Sequence, residues 1–173
     1  MAATIRRAGP ADAATVALLG RITFAETFGH LFGHHADDLR AYLDATFDVA
    51  KIETSLGKPR NAYWLAFLRR LPVGYAKLKY PSPPPAKPQQ VAAQLQKIYV
   101  LRAFLGQRLG EDLLGPVLQE AASQAPLLWL DVLRENDRAV RFYARHGFVA
   151  SGDDSYTIGS QRFVFDIMER HVP

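Results

Sequence analysis

The predicted fold of this chain depends most on one stretch, Trp129-Leu-Asp-Val-Leu-Arg-Glu-Asn136-Asp-Arg-Ala-Val-Arg-Phe-Tyr143-Ala-Arg-His-Gly147-Phe148. It continues an apolar run, residues 127–133, that predicts a buried strand. Residues 136–146 then carry apolar side chains at helical spacing, and Gly147 is the residue type that commonly ends a helix. Phe148 begins another strand, over 148–150. The stretch therefore predicts a strand, a helix and a second strand in succession.

The sequence on either side of this stretch predicts further strands and helices. Strands are predicted over 5–8, 63–68, 73–80, 95–101, 156–158 and 162–168. Helices are predicted over 15–28, from Asp37 onward, over 48–57 and over 106–122, the last kinked by Pro116. We therefore predict one α/β (α+β) domain over residues 1–173, built on a mixed, mainly antiparallel sheet of six to seven strands with flanking helices.

The length and composition fit a single domain and exclude several classes of protein. A chain of 173 residues with 49% hydrophobic residues can bury one sizeable core. It contains no cysteine, which excludes disulfides, thiolate zinc sites and cysteine nucleophiles. No apolar run approaches the roughly 18 residues of a membrane span, and residues 1–7 lead into a strand rather than a signal peptide. We expect a cytoplasmic protein without a membrane partner.

The charge and the histidines do not predict a nucleic-acid or metal partner. The formal charge is +4, but the lysines and arginines are scattered and build no basic helix face. A polyanionic small ligand or an ordinary solvated surface explains the excess equally well. His30, His34 and His35 have near-helical spacing, yet no acidic ligand motif accompanies them, so no metal site is predicted.

A proline-rich segment separates two of the predicted strands. Residues 81–90 hold five of the chain's 11 prolines, which cannot donate hydrogen bonds in a central strand. The segment predicts an exposed loop within the domain. A ligand for a proline-recognition partner is the alternative, because such partners bind extended polyproline conformations.

The segment at the start of the predicted helix 106–122 is a candidate anion site. It reads Leu105-Gly106-Gln107-Arg108-Leu109-Gly110. Backbone N–H groups at the start of a helix converge on anions, and the positive end of the helix dipole assists them. The loop predicts a pyrophosphate cradle, although glycines before helices are common and the Rossmann spacing is absent.

The central stretch carries the residues by which the chain resembles the Gcn5-related N-acetyltransferase (GNAT) superfamily. Asn136, Ala139, Tyr143 and Gly147-Phe148 match the Asn, Ala, Tyr and Gly-Phe pattern of that family. The resemblance covers nearly the whole chain and implies a GNAT-like sheet whose central parallel strands splay apart where acetyl-CoA enters. It also implies direct transfer of an acetyl group from acetyl-CoA to an amine in a ternary complex.

The resemblance further implies roles for individual residues. Tyr143 is expected at the sulfur of CoA as general acid, and an N–H near Val100 is expected to stabilise the oxyanion. Spacing alone leaves open an N-cap role for Asn136 and a packing role for Tyr143. The residues expected to contact CoA are Val100, Leu101, Gly106, Gln107, Arg108, Leu109, Gly110 and, on the pantetheine side, Asn136.

Two departures from the family pattern affect the expected function. The phosphate motif has Gln or Arg, two residues, Gly, one residue, then Gly or Ala; here Leu105, Arg108 and Gly110 occupy those positions. Arg108 is expected either to crowd the pyrophosphate or to pair with a phosphate. Relatives often carry a glutamate base in the preceding strand, where this chain has Gln94 and Gln96. A non-catalytic acyl-CoA-binding or regulatory module is therefore the alternative function.

Short motifs outside the central stretch resemble the spermidine/spermine N-acetyltransferase branch. They are Glu26-Thr27-Phe28, Tyr42-Leu43, Ile98-Tyr99-Val100 and the run from Tyr156 to Glu169. This weaker resemblance implies a polyamine acceptor first, another small amine next and a protein amino group last. Glu26 is the first candidate for binding the acceptor, although a solvated helix position explains it equally well. A monomer and a homodimer both remain open.

Overall fold

A computed structural model describes residues 3–173, which form one seven-stranded sheet and five α-helices. The strands are β1 (Thr4–Arg7), β2 (Asn61–Leu68), β3 (Leu71–Lys79), β4 (Ala92–Val100), β5 (Leu127–Leu133), β6 (Val149–Ile158) and β7 (Gln161–His171). The helices are α1 (Ala13–Phe28), α2 (Ala36–Thr46), α3 (Val49–Leu56), α4 (Leu109–Gln124) and α5 (Asp137–Arg145).

The sheet is mixed, as the sequence predicts. Its strand order is β1-β2-β3-β4-β5-β7-β6. Within residues 3–173 the central neighbours β4 and β5 run parallel, and every other neighbouring pair is antiparallel. The connection between the parallel strands passes through α4, because parallel neighbours require a long crossover. The predicted fold class is confirmed.

The helices form one layer on each face of the sheet. On one face α1, α2 and α3 pack over a cluster that includes Phe24 and Tyr75. On the other face α4 and α5 pack over a cluster that includes Leu113 and Tyr143. Both clusters reach the central strands, so the middle of the sheet is covered from both sides.

The parallel strands β4 and β5 stay together for a short distance and then part. Their register pairs are Ala92 with Leu127, Ala93 with Leu128, and Gln94 with Trp129. A bulge in β4 follows at once, because Lys77 of β3 pairs with Lys97 while Leu78 pairs with Leu95, which leaves Gln96 as an extra residue. Beyond this point β4 pairs with β3 and β5 pairs with β7, and a gap opens between them.

Side-chain hydrogen bonds stabilise the closed end of the gap, which is the point where β4 and β5 stop pairing. Trp129, which is buried, donates from Nε1 to the carbonyl oxygen of Ser82 at 2.7 Å. The Ser82 hydroxyl donates to Oε1 of Gln94 at 3.0 Å. These bonds tie the end of the proline-rich loop to both parallel strands, and they fix where the strands separate.

Several element boundaries differ from the sequence predictions. The strand that begins after Gly147 runs from Val149 to Ile158, whereas two separate pieces over 148–150 and 156–158 were expected. The middle of this edge strand consists of polar and glycine residues, so the sequence pattern does not predict it as a strand. The strand also contains a bulge after Ala150. Leu71 and Pro72 belong to β3, so the turn between β2 and β3 is shorter than predicted.

The start of α4 also differs from its prediction. The helix begins at Leu109 instead of at Gly106, because Gly106 and Arg108 both have positive φ angles that a helix excludes. The helix then continues through Pro116 to Gln124. In the proline-rich loop most residues are exposed as predicted, but Ser82 and Pro84 are buried and Lys87 forms an ion pair with Glu169 at 2.7 Å.

Candidate active site

A large cavity of about 1180 Å³ occupies the gap between β4 and β5. Its walls come from both faces of the sheet, so the gap joins two arms. The donor arm is the part beneath α4 and α5, and its walls include Val100, Gly106, Arg108, Asn136 and Tyr143. The acceptor arm is the part beneath α1 and α2, and its walls include Phe24, Glu26, Tyr42, Lys97 and Asp131.

The loop at the start of α4 supplies backbone donors to the donor arm. Gly106 has φ +84° and Arg108 has φ +62°, so the chain turns sharply twice before the helix begins. The first N–H groups of a helix have no partner within the helix, and here they lie at the cavity wall. The left-handed backbone at position 108 explains why the family pattern has glycine there.

Close packing holds this loop against α5. A Cβ atom placed on Gly110 would lie 3.3 Å from the ring of Phe142, so a small residue is needed where α4 meets α5. The Arg108 side chain extends into solvent, and its Nε donates to Glu111 at 2.9 Å. Its guanidinium therefore pairs with Glu111, while residue 108 itself borders the cavity.

A row of arginines borders the donor arm on α5. Arg138, Arg141 and Arg145 are spaced by three and four residues, which places them along one side of the helix. All three border the cavity, and none forms an ion pair with a carboxylate of residues 3–173. They give this arm a positive charge that the first helical amides extend.

The edge of β4 presents a backbone N–H to the gap. Leu101 donates from its N–H to the Val73 oxygen at 2.9 Å, and Val100 pairs with Gly74. In an antiparallel pair, residues that exchange hydrogen bonds alternate with residues whose N–H and C=O point the other way. Val100 is of the second kind, so its N–H points toward β5 and into the cavity.

Asn136 and Tyr143 both lie on the donor side of the cavity. The Asn136 side chain accepts from the N–H of Ala139 at 3.2 Å, so Asn136 is the N-cap of α5. Tyr143 is buried, but its hydroxyl bonds to no group in residues 3–173. Burial raises the pKa of Tyr143, and the charge of Asp131 raises it further, so the phenol keeps its proton at neutral pH.

Asp131 is the carboxylate that the sequence-based reasoning missed. It lies on β5, partly buried, and faces the acceptor arm. Burial raises the pKa of its carboxyl above the ordinary aspartate value, while the neighbouring Tyr156 hydroxyl and the Lys97 charge act in the opposite direction. A charged residue within the apolar run Leu127–Leu133 was the signal that could have identified it.

The glutamines at the expected base position have structural contacts. Gln94 is buried, and its Oε1 accepts from Ser82 at 3.0 Å and from Gln96 at 3.3 Å. Glu26 borders the cavity, and its Oε2 accepts from the N–H of Arg102 at 2.8 Å. The Arg102 side chain also bonds to the Glu26 carbonyl oxygen. Glu26 therefore tethers α1 to the end of β4 at the mouth of the cavity.

Residues 24–148 match the sequence profile described as "Acetyltransferase (GNAT) family". The chain belongs to the GNAT family. This family uses acetyl-CoA as its acetyl donor, and the predicted class, an acetyl-CoA-dependent N-acetyltransferase, is confirmed. The splayed strands of a GNAT fold are the ones that enclose the cavity described above.

Individual relatives agree with this assignment. An uncharacterized N-acetyltransferase of Mycobacterium tuberculosis is 30% identical over 125 residues, 72% of this chain and 76% of the relative. An uncharacterized N-acetyltransferase of Lactobacillus delbrueckii subsp. lactis is 23% identical over 145 residues, 83% of each chain. The PaiA N-acetyltransferase of Thermoplasma acidophilum, solved in complex with coenzyme A, has a TM-score of 0.80 at 19% identity over 99% of each chain.

Among residues 3–173, no group of three or more histidine, aspartate or glutamate side chains is arranged to hold a metal ion. No helix in the same range is long and apolar enough to span a bilayer.

The left-handed backbone at Arg108 predicts a difference in unfolding free energy between two variants of this residue. A left-handed φ costs a residue with a Cβ about 1–2 kcal/mol, so Arg108→Gly should be more stable to unfolding than Arg108→Ala by about 1 kcal/mol. Both variants lose the exposed ion pair with Glu111, which contributes little. Chemical denaturation measures the difference. Equal stability of the two variants would show that position 108 is not left-handed.

Proposed function

We propose that this chain transfers the acetyl group of acetyl-CoA directly to a small amine, with CoA in the donor arm and the amine in the acceptor arm. The observation that carries the proposal is that one cavity joins an arm rich in free amides and arginines to an arm that contains a carboxylate. A polyanionic thioester suits the first arm, and a cationic amine suits the second. The gap between β4 and β5 brings the two substrates together.

The donor arm has the chemistry that a diphosphate ligand requires. The amides of residues 109 and 110 begin α4, where the helix dipole favours negative charge. Arg138 and Arg141 place guanidinium groups, which pair well with phosphate oxygens, at the wall of this arm. Gly106, Gln107, Leu109 and Gly110 are proposed as the loop that contacts CoA, Val100 and Leu101 as the strand edge, and Asn136 as the helix cap on the pantetheine side.

The amine has to lose a proton before it attacks. An alkylamine with a pKa of about 10.4 is neutral in roughly one molecule in 10³ at pH 7, a cost of about 4–5 kcal/mol. Asp131 is proposed as the group that accepts this proton, directly or through water, because its carboxylate lies on β5 at the gap, whereas the other carboxylate of this arm, Glu26, accepts from the Arg102 N–H. The raised pKa of Asp131 makes it a better base than an exposed aspartate.

The acyl transfer then needs one hydrogen-bond donor for the carbonyl oxygen and one proton donor for the sulfur. As the amine nitrogen attacks the thioester carbonyl, negative charge develops on its oxygen, and the N–H of Val100 is proposed to stabilise it. The carbon–sulfur bond breaks and CoA leaves as a thiolate. The Tyr143 hydroxyl, which has no protein partner, is proposed to donate its proton or a strong hydrogen bond to that sulfur.

The acceptor class is the finer part of the proposal. The resemblance of short motifs favours a polyamine, then another small amine, then a protein amino group. A role for Glu26 in binding the acceptor remains a proposal, and its bond to the Arg102 N–H means that a substitution there also disturbs the mouth of the cavity. The cytoplasmic location and the choice between monomer and homodimer remain predictions. Asp131 favours catalysis over the alternative of a non-catalytic acyl-CoA-binding module.

Binding and turnover test the proposal in two steps. Saturating acetyl-CoA should raise the melting temperature, because a ligand that binds the folded state stabilises it by mass action. Free CoA should then be released faster with a panel of amines than without them. No stabilisation at millimolar acetyl-CoA would contradict the proposal outright, and binding without release for any amine would favour the non-catalytic module.

Asp131→Asn tests the general base. We expect kcat/KM at pH 7 to fall by about 10²- to 10³-fold, because the amide accepts no proton. In the parent enzyme kcat/KM should rise with pH as the Asp131 carboxyl ionises, and this step should be absent from the variant. Asp44→Asn is the matched control, because Asp44 lies on α2 outside the cavity wall and pairs with Arg21 at 2.7 Å.

The stability of Asp131→Asn provides a second readout. Folding raises the pKa of the Asp131 carboxyl. The protonated carboxyl therefore stabilises the folded state at pH values below the pKa in the unfolded chain, about 3.9, and this stabilisation is lost as the pH rises through the pKa in the folded state. The variant should therefore melt at a higher temperature than the parent at pH 7, with a smaller difference at pH 4. Lower stability at pH 7 together with unchanged activity would assign Asp131 a structural role.

Tyr143→Phe tests the proton donor. The ring and its packing remain, so CoA affinity should be unchanged while kcat falls by about 10²-fold. The melting temperature should also be unchanged, since the hydroxyl has no protein hydrogen bond to lose. Tyr75→Phe is the control, because its hydroxyl is buried without a partner and lies outside the cavity wall. Equal turnover by Tyr143→Phe and the parent would reduce Tyr143 to a packing role.

A further inference from the structure

Lys97 is a cation in the acceptor arm that the proposed reaction does not use. It lies on β4, just after the bulge, and borders the cavity. Its ammonium forms no ion pair and donates no hydrogen bond to any group in residues 3–173. It lies 5.4 Å from the ring centre of Phe47. Burial lowers the pKa of Lys97, while the charge of Asp131 opposes that shift.

The positive charge of Lys97 is destabilised by the lysine that lies opposite it on the neighbouring strand. Lys77 of β3 pairs in register with Lys97, and both side chains lie on the α1 side of the sheet over aromatic rings. Burial and the nearby lysines lower the pKa of Lys77 to about 8. Two like charges directly opposite each other destabilise a sheet. A bound anion beside Lys97 would relieve this repulsion, and Lys97 is the member of the pair that borders the cavity.

Lys97 and Asp131 border the same arm from opposite sides of the gap. One belongs to β4 and the other to β5, and both lie a few residues beyond the last parallel pair, Gln94 with Trp129. They are too far apart for a direct ion pair within the described residues. A ligand that lies between them meets a negative group on one side and a positive group on the other.

Aromatic side chains make up much of the remaining wall of the acceptor arm, beside polar residues such as Glu26 and Thr27. Phe24 and Tyr42 pack with ring centres 4.6 Å apart, and Phe32 and Phe163 pack at 5.3 Å. All four border the cavity. Such walls suit the body of a small apolar or aromatic molecule. A long chain that carries several ammonium groups would bring further positive charge near Lys97, which repels it.

We propose that the acceptor is an amino-acid-like molecule, with its amine at Asp131, its carboxylate at Lys97 and an apolar side chain among the aromatic walls. This inference rests on the proposed function and narrows its acceptor class. The amine first gives one proton to Asp131; its nitrogen then forms a bond to the acetyl carbon, and the carbon–sulfur bond breaks with its electron pair on sulfur. The nitrogen loses its second proton as the amide forms, and that proton replaces the one that Tyr143 gives to the thiolate. The products are an N-acetyl amino acid and CoA. Lys97 takes part in binding and orientation and exchanges no atoms.

Paired acceptors test the role of Lys97. Leucine and 3-methylbutylamine differ by the carboxylate, as do phenylalanine and phenethylamine; spermidine represents the polyamines. The two members of a pair also differ in amine pKa, so the informative quantity is the ratio of their kcat/KM values in the parent and in Lys97→Met. In the parent we expect the amino acid to be preferred by about 100-fold, and in Lys97→Met by less than about fivefold.

Lys79→Met is the matched control. It removes another lysine of β3, which neither borders the cavity nor pairs with Lys97, and should leave the preference at its parental value. Lys97→Arg keeps the charge and should retain most of the preference. Circular dichroism and acetyl-CoA affinity confirm that the variants are folded and keep the donor arm intact.

The remaining outcomes overturn the inference in distinguishable ways. If spermidine is the faster substrate, or if Lys97→Met keeps the parental ratio, the acceptor class is wrong and the acetyl transfer stands. If no amine accelerates CoA release although acetyl-CoA binds, the proposed function fails as well. If the parent gains 42 Da on incubation with acetyl-CoA and Lys97→Met does not, Lys97 is itself an acceptor instead of a binding residue.

Discussion

The separation of β4 from β5 is the constraint on which the rest of the site depends. The two strands share three register pairs and then diverge. In an ordinary sheet the backbone groups beyond that point would bond to each other, and no cavity would exist. Here they are left to face the gap, and a buried polar backbone group without a partner is costly. Backbone groups in the middle of the sheet are therefore free to form hydrogen bonds with a ligand.

The bulge at Gln96 and the anchor at Trp129 make that separation stable. The extra residue in β4 strengthens the local twist and bends the strand away from β5. The bonds from Trp129 to Ser82 and from Ser82 to Gln94 stop the gap from extending further toward the closed end. Layers of helices on both faces keep water from entering the sheet elsewhere, so the opening stays confined to one place.

The sequence predicts the donor arm better than the acceptor arm, and the reason is physical. Asn136 as a helix cap and Gly147 as a helix end follow from local spacing and are confirmed, and the observed sheet of seven strands lies within the predicted six to seven. The left-handed backbone at Arg108 does not follow from spacing, because arginine itself gives no sign of a positive φ. Asp131 and Lys97 become neighbours of one cavity only through the divergence of two strands whose residues are more than 30 positions apart in the chain.

The two arms also differ in whether backbone groups or side chains form their binding groups. The donor arm binds mainly through backbone amides and a helix end, which many side chains can support, so a motif with Leu105 and Arg108 in unusual places still builds the loop. The acceptor arm is made of side chains, and each substitution there changes charge or shape directly. A family resemblance therefore carries information about the donor, whereas the acceptor has to be inferred from residues such as Lys97 and Asp131 that face each other across the gap. Their opposite charges favour a substrate that carries both signs, because neither group forms an ion pair within residues 3–173, although the Tyr156 hydroxyl lies beside Asp131.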